Sequence, residues 1–138
     1  MTKIKRRPLS RAMLLPIPVQ KARALSLEYH LALSVLNAGR GGINEAIRLV
    51  QVVWHARFMA GSGSGDTGVI DAAEAALDDV GARVDEGRAW TVTEAEHAAI
   101  AQALAIYDRL TAGVPYHRFI AAWERMQQFS RQLQDAAA

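Results

Sequence analysis

The residues of this chain that could do chemistry are few, and each set falls short of a complete site. Gly63-Ser64-Gly65-Asp66-Thr67-Gly68 satisfies the dinucleotide pattern G-x-G-x-x-G and stands before a helical stretch. That pattern holds a pyrophosphate only when a β-strand delivers the chain to the turn. A helical pattern precedes it here, so residues 61–66 read as a flexible Gly/Ser connector. Glu94 and His97 form one Glu-x-x-His, the ligand pair of di-iron bundles, but such sites need a second pair and two further inward glutamates. His30, His55 and His117 have no second histidine at metal-ligand spacing, and His55 and His117 are expected as partly buried, hydrogen-bonded packing residues. Cysteine is absent and no G-x-S-x-G elbow occurs. The chain is therefore expected to be non-enzymatic, with no catalytic residue, metal, cofactor or small-molecule substrate.

The distribution of charge points further. Lys3, Lys5, Arg6, Arg7, Arg11, Lys21 and Arg23 all precede the first acid, Glu28, so a head of +7 joins a body in which nine arginines face fourteen Asp/Glu. Such a head can neutralise the phosphates of a polyanion by counterion release, or it can close onto its own acidic body. Residues 66–108 carry ten acids and only Arg83 and Arg88, so that stretch would repel phosphate. The best basic partner for the head is the last helix, with Arg118, Arg125 and Arg131 expected on roughly one side.

The elements that must position these residues are helical. Twenty-six alanines favour closely approaching helices, and no strand-like alternation of useful length occurs. A first helix is expected from about Val19 to Ala38, as a central helix touched by several neighbours, because Leu25, Leu27, Leu31, Leu33 and Leu36 cover more than one stripe. A second is expected from Ile43 to Ala60, with Ile43, Ile47, Val50, Val53, Trp54 and Phe58 on one face. A third spans Thr67 to Glu86. A fourth starts at the Thr93-x-x-Glu96 capping box and ends near Gly113. A fifth follows Pro115 and turns Phe119, Ile120, Trp123, Met126 and Leu133 inward. Before them, residues 1–18 form a basic, proline-containing arm. Pro16 and Pro18 keep it extended, and Leu14, Leu15 and Ile17 lie as an apolar strap over the domain of residues 19–138. The expected class is all-α, a single-domain bundle of about five helices with an extended basic N-terminal arm.

No apolar run is long enough to span a bilayer. The run Ala12–Val19 is too short, too proline-rich and too closely followed by Lys21 and Arg23 for a secretory signal. A cytoplasmic location is expected. Arg7-Pro8-Leu9-Ser10, Leu14-Leu15-Pro16, the block Leu25–Leu33 and Ala122-Trp123-Glu124-Arg125 together resemble a group of small bacterial helical proteins called Fis-type transcriptional regulators. That resemblance implies a regulatory, DNA-associated role. The chain departs from it at Phe129–Leu133, where no helix-turn-helix pattern occurs, and no binding residue is carried over. Two functions are expected. One is a regulatory or accessory protein contacting DNA or RNA through Lys3, Lys5, Arg6, Arg7, Arg11, Lys21 and Arg23, with Arg118 and Arg125. The other is a non-enzymatic protein–protein interaction module, a self-associating or dimeric adaptor using its acidic helices 66–108.

Overall fold

A computed structural model describes residues 8–137 of the chain. Among the described residues there are six helices and no strand: α1 (Arg11–Leu14), α2 (Val19–Asn37), α3 (Ile43–Ala60), α4 (Thr67–Asp85), α5 (Glu94–Gly113) and α6 (Tyr116–Ala137). The five long helices begin, and the first four of them end, where the breakers place them. α2 stops at Gly39, whose φ of 74° reverses the chain without the strain a side chain would meet. α5 starts on the capping box: the Glu96 N–H donates to Thr93 Oγ1 (3.1 Å) and the Thr93 N–H donates to Glu96 Oε1 (2.8 Å).

The sixth helix, α1, departs from expectation. Residues 12–14 are not extended, because Ser10 caps one helical turn, its backbone carbonyl accepting from the Met13 N–H (3.0 Å). The strap proper begins at Leu15. Its anchors are Ile17, which is buried, and the Leu15 carbonyl, which accepts from the Tyr116 N–H at the start of α6 (2.8 Å). Leu14 and Leu15 themselves stay about half exposed, 53% and 51%.

Successive helices α2–α3, α3–α4 and α4–α5 pack pairwise, as short connections require. α6 breaks the sequence. Although only Val114 and Pro115 separate it from α5, it packs on α3. The central helix is consequently α3, which touches α2, α4, α5 and α6, and not α2, which packs on α3 and α5. This corrects two faces. On α2, Leu27 and Leu31 point to solvent, while Tyr29, Ala32, Leu33 and Leu36 are buried. On α3, the buried residues are Leu49, Val52, Val53, His55, Ala56 and Met59, whereas Ile43, Ile47 and Val50 are exposed. A helix with neighbours on several sides is apolar nearly all round, so periodicity does not select its deepest face. On α6 the buried residues are Ala122 and Met126, and Leu133 is exposed.

Candidate functional site

Lys3, Lys5, Arg6 and Arg7 lie outside the described residues. The remaining head cations are well placed to be met from solution. Arg11 opens α1, Lys21 and Arg23 lie in the first turns of α2, and all three are exposed. None of them engages a carboxylate among the described residues. The body behaves differently. Arg48 pairs with Glu28, Arg57 with Asp71 and Glu74, Arg83 with Glu96, Arg88 with Glu86 and Arg109 with Asp66. Six acids of the body are thus answered by five of its own arginines, and Asp78, Asp79, Asp85, Glu94 and Glu124 join none of these pairs.

The α6 arginines do not form one surface. Arg118 Nη2 donates to the Met59 carbonyl (3.0 Å), satisfying a carbonyl of the last turn of α3. Arg125 stacks over the Phe58 ring at 4.7 Å. These two share the flank of α6 that faces the end of α3. Arg131 lies six residues further, about 120° around the helix from Arg125, so it does not join them.

The Gly/Ser connector is held by local bonds. The Asp66 N–H donates to Ser64 Oγ (3.1 Å), Thr67 Oγ1 donates to the Ser64 carbonyl (2.9 Å), and Arg109 of α5 clamps the Asp66 carboxylate. A cavity of about 370 Å³ opens beside it, between Arg57, Arg125 and the N-terminal turn of α4. Its deeper cation is already neutralised: Arg57 Nη2 donates to Asp71 Oδ1 (2.7 Å) and Glu74 Oε2 (2.6 Å), and the guanidinium covers the Trp54 ring at 5.1 Å. With a helix and not a strand entering the turn, nothing in this geometry makes a dinucleotide site of the glycine pattern.

His55 is the one histidine fully buried, with 0% exposure. Its Nε2 donates to the Phe119 carbonyl (3.0 Å), which fixes the tautomer, so Nδ1 accepts from the Tyr107 hydroxyl (3.1 Å). Phe119 and Trp123 meet the imidazole edge-on, at 4.5 and 5.3 Å between ring centres. Burial pushes the His55 pKa down to about 4, opposed only by the bond to Phe119, and burial likewise raises that of Tyr107. The ring is neutral at pH 7 with both nitrogens engaged. It has no lone pair left for a metal or a substrate and serves as the polar centre of the packing between α3, α5 and α6. His117 is half-buried, Glu94 is exposed, and among the described residues no cluster of three or more His, Asp or Glu is placed to hold a metal.

Comparison with known proteins finds no matching family model, no matching curated protein and no matching solved structure.

Proposed function

We propose that this chain is a small regulatory or accessory protein that binds nucleic acid electrostatically through its N-terminal basic segment. Lys3, Lys5, Arg6, Arg7, Arg11, Lys21 and Arg23 form the primary contact, and Arg118 and Arg125 a secondary one. The observation that carries the reading is that Arg11, Lys21 and Arg23 remain exposed and engage no acid of the body among the described residues, whose ion pairs use other cations. This favours an external polyanion over a head closed on its own acids. Reading of base sequence by an inserted helix is no part of the proposal. Four or five neutralised phosphates would give a log–log salt slope of roughly −4. Fluorescence anisotropy with a short labelled duplex at two salt concentrations tests it. Wild-type protein is expected to bind with that slope, and the Arg6→Glu/Arg7→Glu/Arg11→Glu variant to lose binding while keeping its helical circular dichroism. Absence of binding at low salt, or equal binding by the variant, sinks the reading.

A second reading, a protein–protein interaction module, is favoured by a face other than the acidic stretch 66–108. Ile43 (59% exposed), Ile47 (47%) and Val50 (40%) continue the α3–α6 seam in line with Leu133 (54%). Adjacent exposed aliphatic side chains of this kind mark a surface suited to burial against a second copy. Light scattering after gel filtration is expected to give a dimer for the wild-type chain and a monomer for Ile47→Glu. A wild-type monomer at every concentration removes this reading.

A further inference from the structure

The cleft under the strap is the most spacious of the described cavities, about 570 Å³, but Arg23 and Asp108 both stand in its walls and their charges select no ligand. A smaller cavity, of about 220 Å³, is more selective. It lies where α6 parts from α5: α6 packs along α3, and neither α2 nor α5 is among its close neighbours. Large rings bridge the gap between these three helices, Tyr29 from α2, Tyr107 from α5, and Tyr116, Phe119 and Trp123 from α6. Five of the nine aromatic residues of the chain, all three tyrosines among them, thus line one cavity, and two aliphatic side chains complete it. The rings are fixed before any ligand arrives. His55 holds three of them, through the Tyr107 hydroxyl at 3.1 Å and through edge-on contacts with Phe119 and Trp123 at 4.5 and 5.3 Å. Tyr29 stands at 89° to Tyr107 with ring centres 5.5 Å apart, and Tyr116 is stacked on Phe119 at 6.0 Å. Such preorganisation lowers the ordering cost of binding.

Two observations define the ligand. First, no charged side chain lines the cavity, so an anion would meet no opposite charge there. Second, aromatic faces carry negative potential and attract cations. In the other aromatic cluster that attraction is answered from within: Arg57 lies over the Trp54 ring at 5.1 Å and Arg125 over the Phe58 ring at 4.7 Å. Among the described residues no guanidinium or ammonium lies over Tyr29, Tyr107, Tyr116, Phe119 or Trp123. The Tyr107 hydroxyl donates its proton to His55 Nδ1, so its oxygen is left with lone pairs only. A cation entering the cavity must shed water, which costs little for a quaternary ammonium covered by methyl groups and much for a primary one. The cavity is smaller than the roughly 300 Å³ at which drug-sized sites begin, and it suits one compact head group.

We propose that this cavity is an aromatic cage for the trimethylammonium group of a small molecule. The site uses none of the cations of the nucleic-acid contact and none of Ile43, Ile47, Val50 and Leu133, so it stands or falls apart from both readings. Isothermal titration calorimetry of the full chain with three probes tests it. Choline carries the trimethylammonium head, a dimethylbutanol puts a neutral tert-butyl group in its place, and ethanolamine keeps the charge without the methyl groups. Choline is expected to bind at one saturable site, the dimethylbutanol about tenfold more weakly, and ethanolamine more weakly still. Tyr116→Leu is expected to weaken choline about fivefold and to leave the dimethylbutanol within about twofold, with helical circular dichroism retained. Tyr116→Phe, which keeps the ring, is expected to keep the affinity for choline. Trp123→Leu against Trp123→Phe repeats the comparison at a second wall should Tyr116→Leu fail to fold. The proposal is overturned by absence of saturable choline binding, by the dimethylbutanol or ethanolamine binding as tightly as choline, or by a choline affinity that removal of the ring leaves unchanged.

Discussion

Two polar centres sit at different levels along α5, and they survive burial by opposite means. At the start of the helix, Glu96 is 8% exposed yet charged. Arg83 grips it with two parallel bonds, Nη1 to Oε2 (2.7 Å) and Nη2 to Oε1 (2.6 Å), and also donates to the Thr91 carbonyl (3.2 Å). The guanidinium, followed by the Thr93 backbone, holds the Glu96 carboxyl below the usual carboxylate range. Further along the helix, Tyr107 and, facing it from α3, His55 are buried with no ion near enough to pair, and His55 stays neutral. A group at the rim of a core keeps its charge when a partner and some solvent share it. A group at the centre keeps only its hydrogen bonds.

The largest expected effect that sharpens this contrast is in acid. The unfolded chain protonates His55 near pH 6.5, and the folded chain only near 4, so the native state binds fewer protons between those values. Stability is complete above about pH 6.5 and falls as pH drops toward 4, by about 3 kcal/mol from this one group. Urea unfolding across that window is expected to show the slope in the wild-type chain and to lose it in His55→Gln, which puts a hydrogen-bonding but non-titrating amide in place of the imidazole. An equal slope in the variant would place the acid sensitivity elsewhere. Glu96 acts in a lower window. Its depressed pKa gives stability that is present above about 4.5 and lost as pH falls through the folded value. The next effect is at this pair. Arg83→Gln leaves a mostly buried carboxylate without its partner and is expected to cost about 2 kcal/mol at pH 7, after allowing for the solvent that reaches the pair. Arg83→Lys, which retains the charge but not the two-pronged geometry, is expected to cost about half of that. A change under about 0.5 kcal/mol for Arg83→Gln would mean that solvent already screens the pair.

Helix ends were legible because they depend on local chemistry. Thr93 and Glu96 announced the start of α5, and the glycines after Asn37 and Ala60 the ends of α2 and α3. The one-turn α1 has a single local signal, the capping role of Ser10, set beside an apolar run that leads into Pro16. Faces were less legible. Ile47 and Val50 share the spacing of a core stripe, yet their outward position follows from where α6 runs along α3. The isolation of His55 among the histidines points to a hydrogen-bonded packing residue, but its partners lie 52 and 64 residues away and no spacing points to them. The cleft under the strap has no sequence signal at all, since its walls come from three separate stretches of the chain.

What the chain determined alone was helical class, the starts of its five long helices and the ends of the first four, and the separation of a wholly basic head from an acidic body. Each of these rests on neighbours within a turn or on a plain count of charges. The tertiary structure decided which helix is central, which arginines are consumed by carboxylates and carbonyls, and where a cavity remains. Those depend on side chains brought together from distant positions, and packing, unlike periodicity, gives each face of a helix a different neighbour.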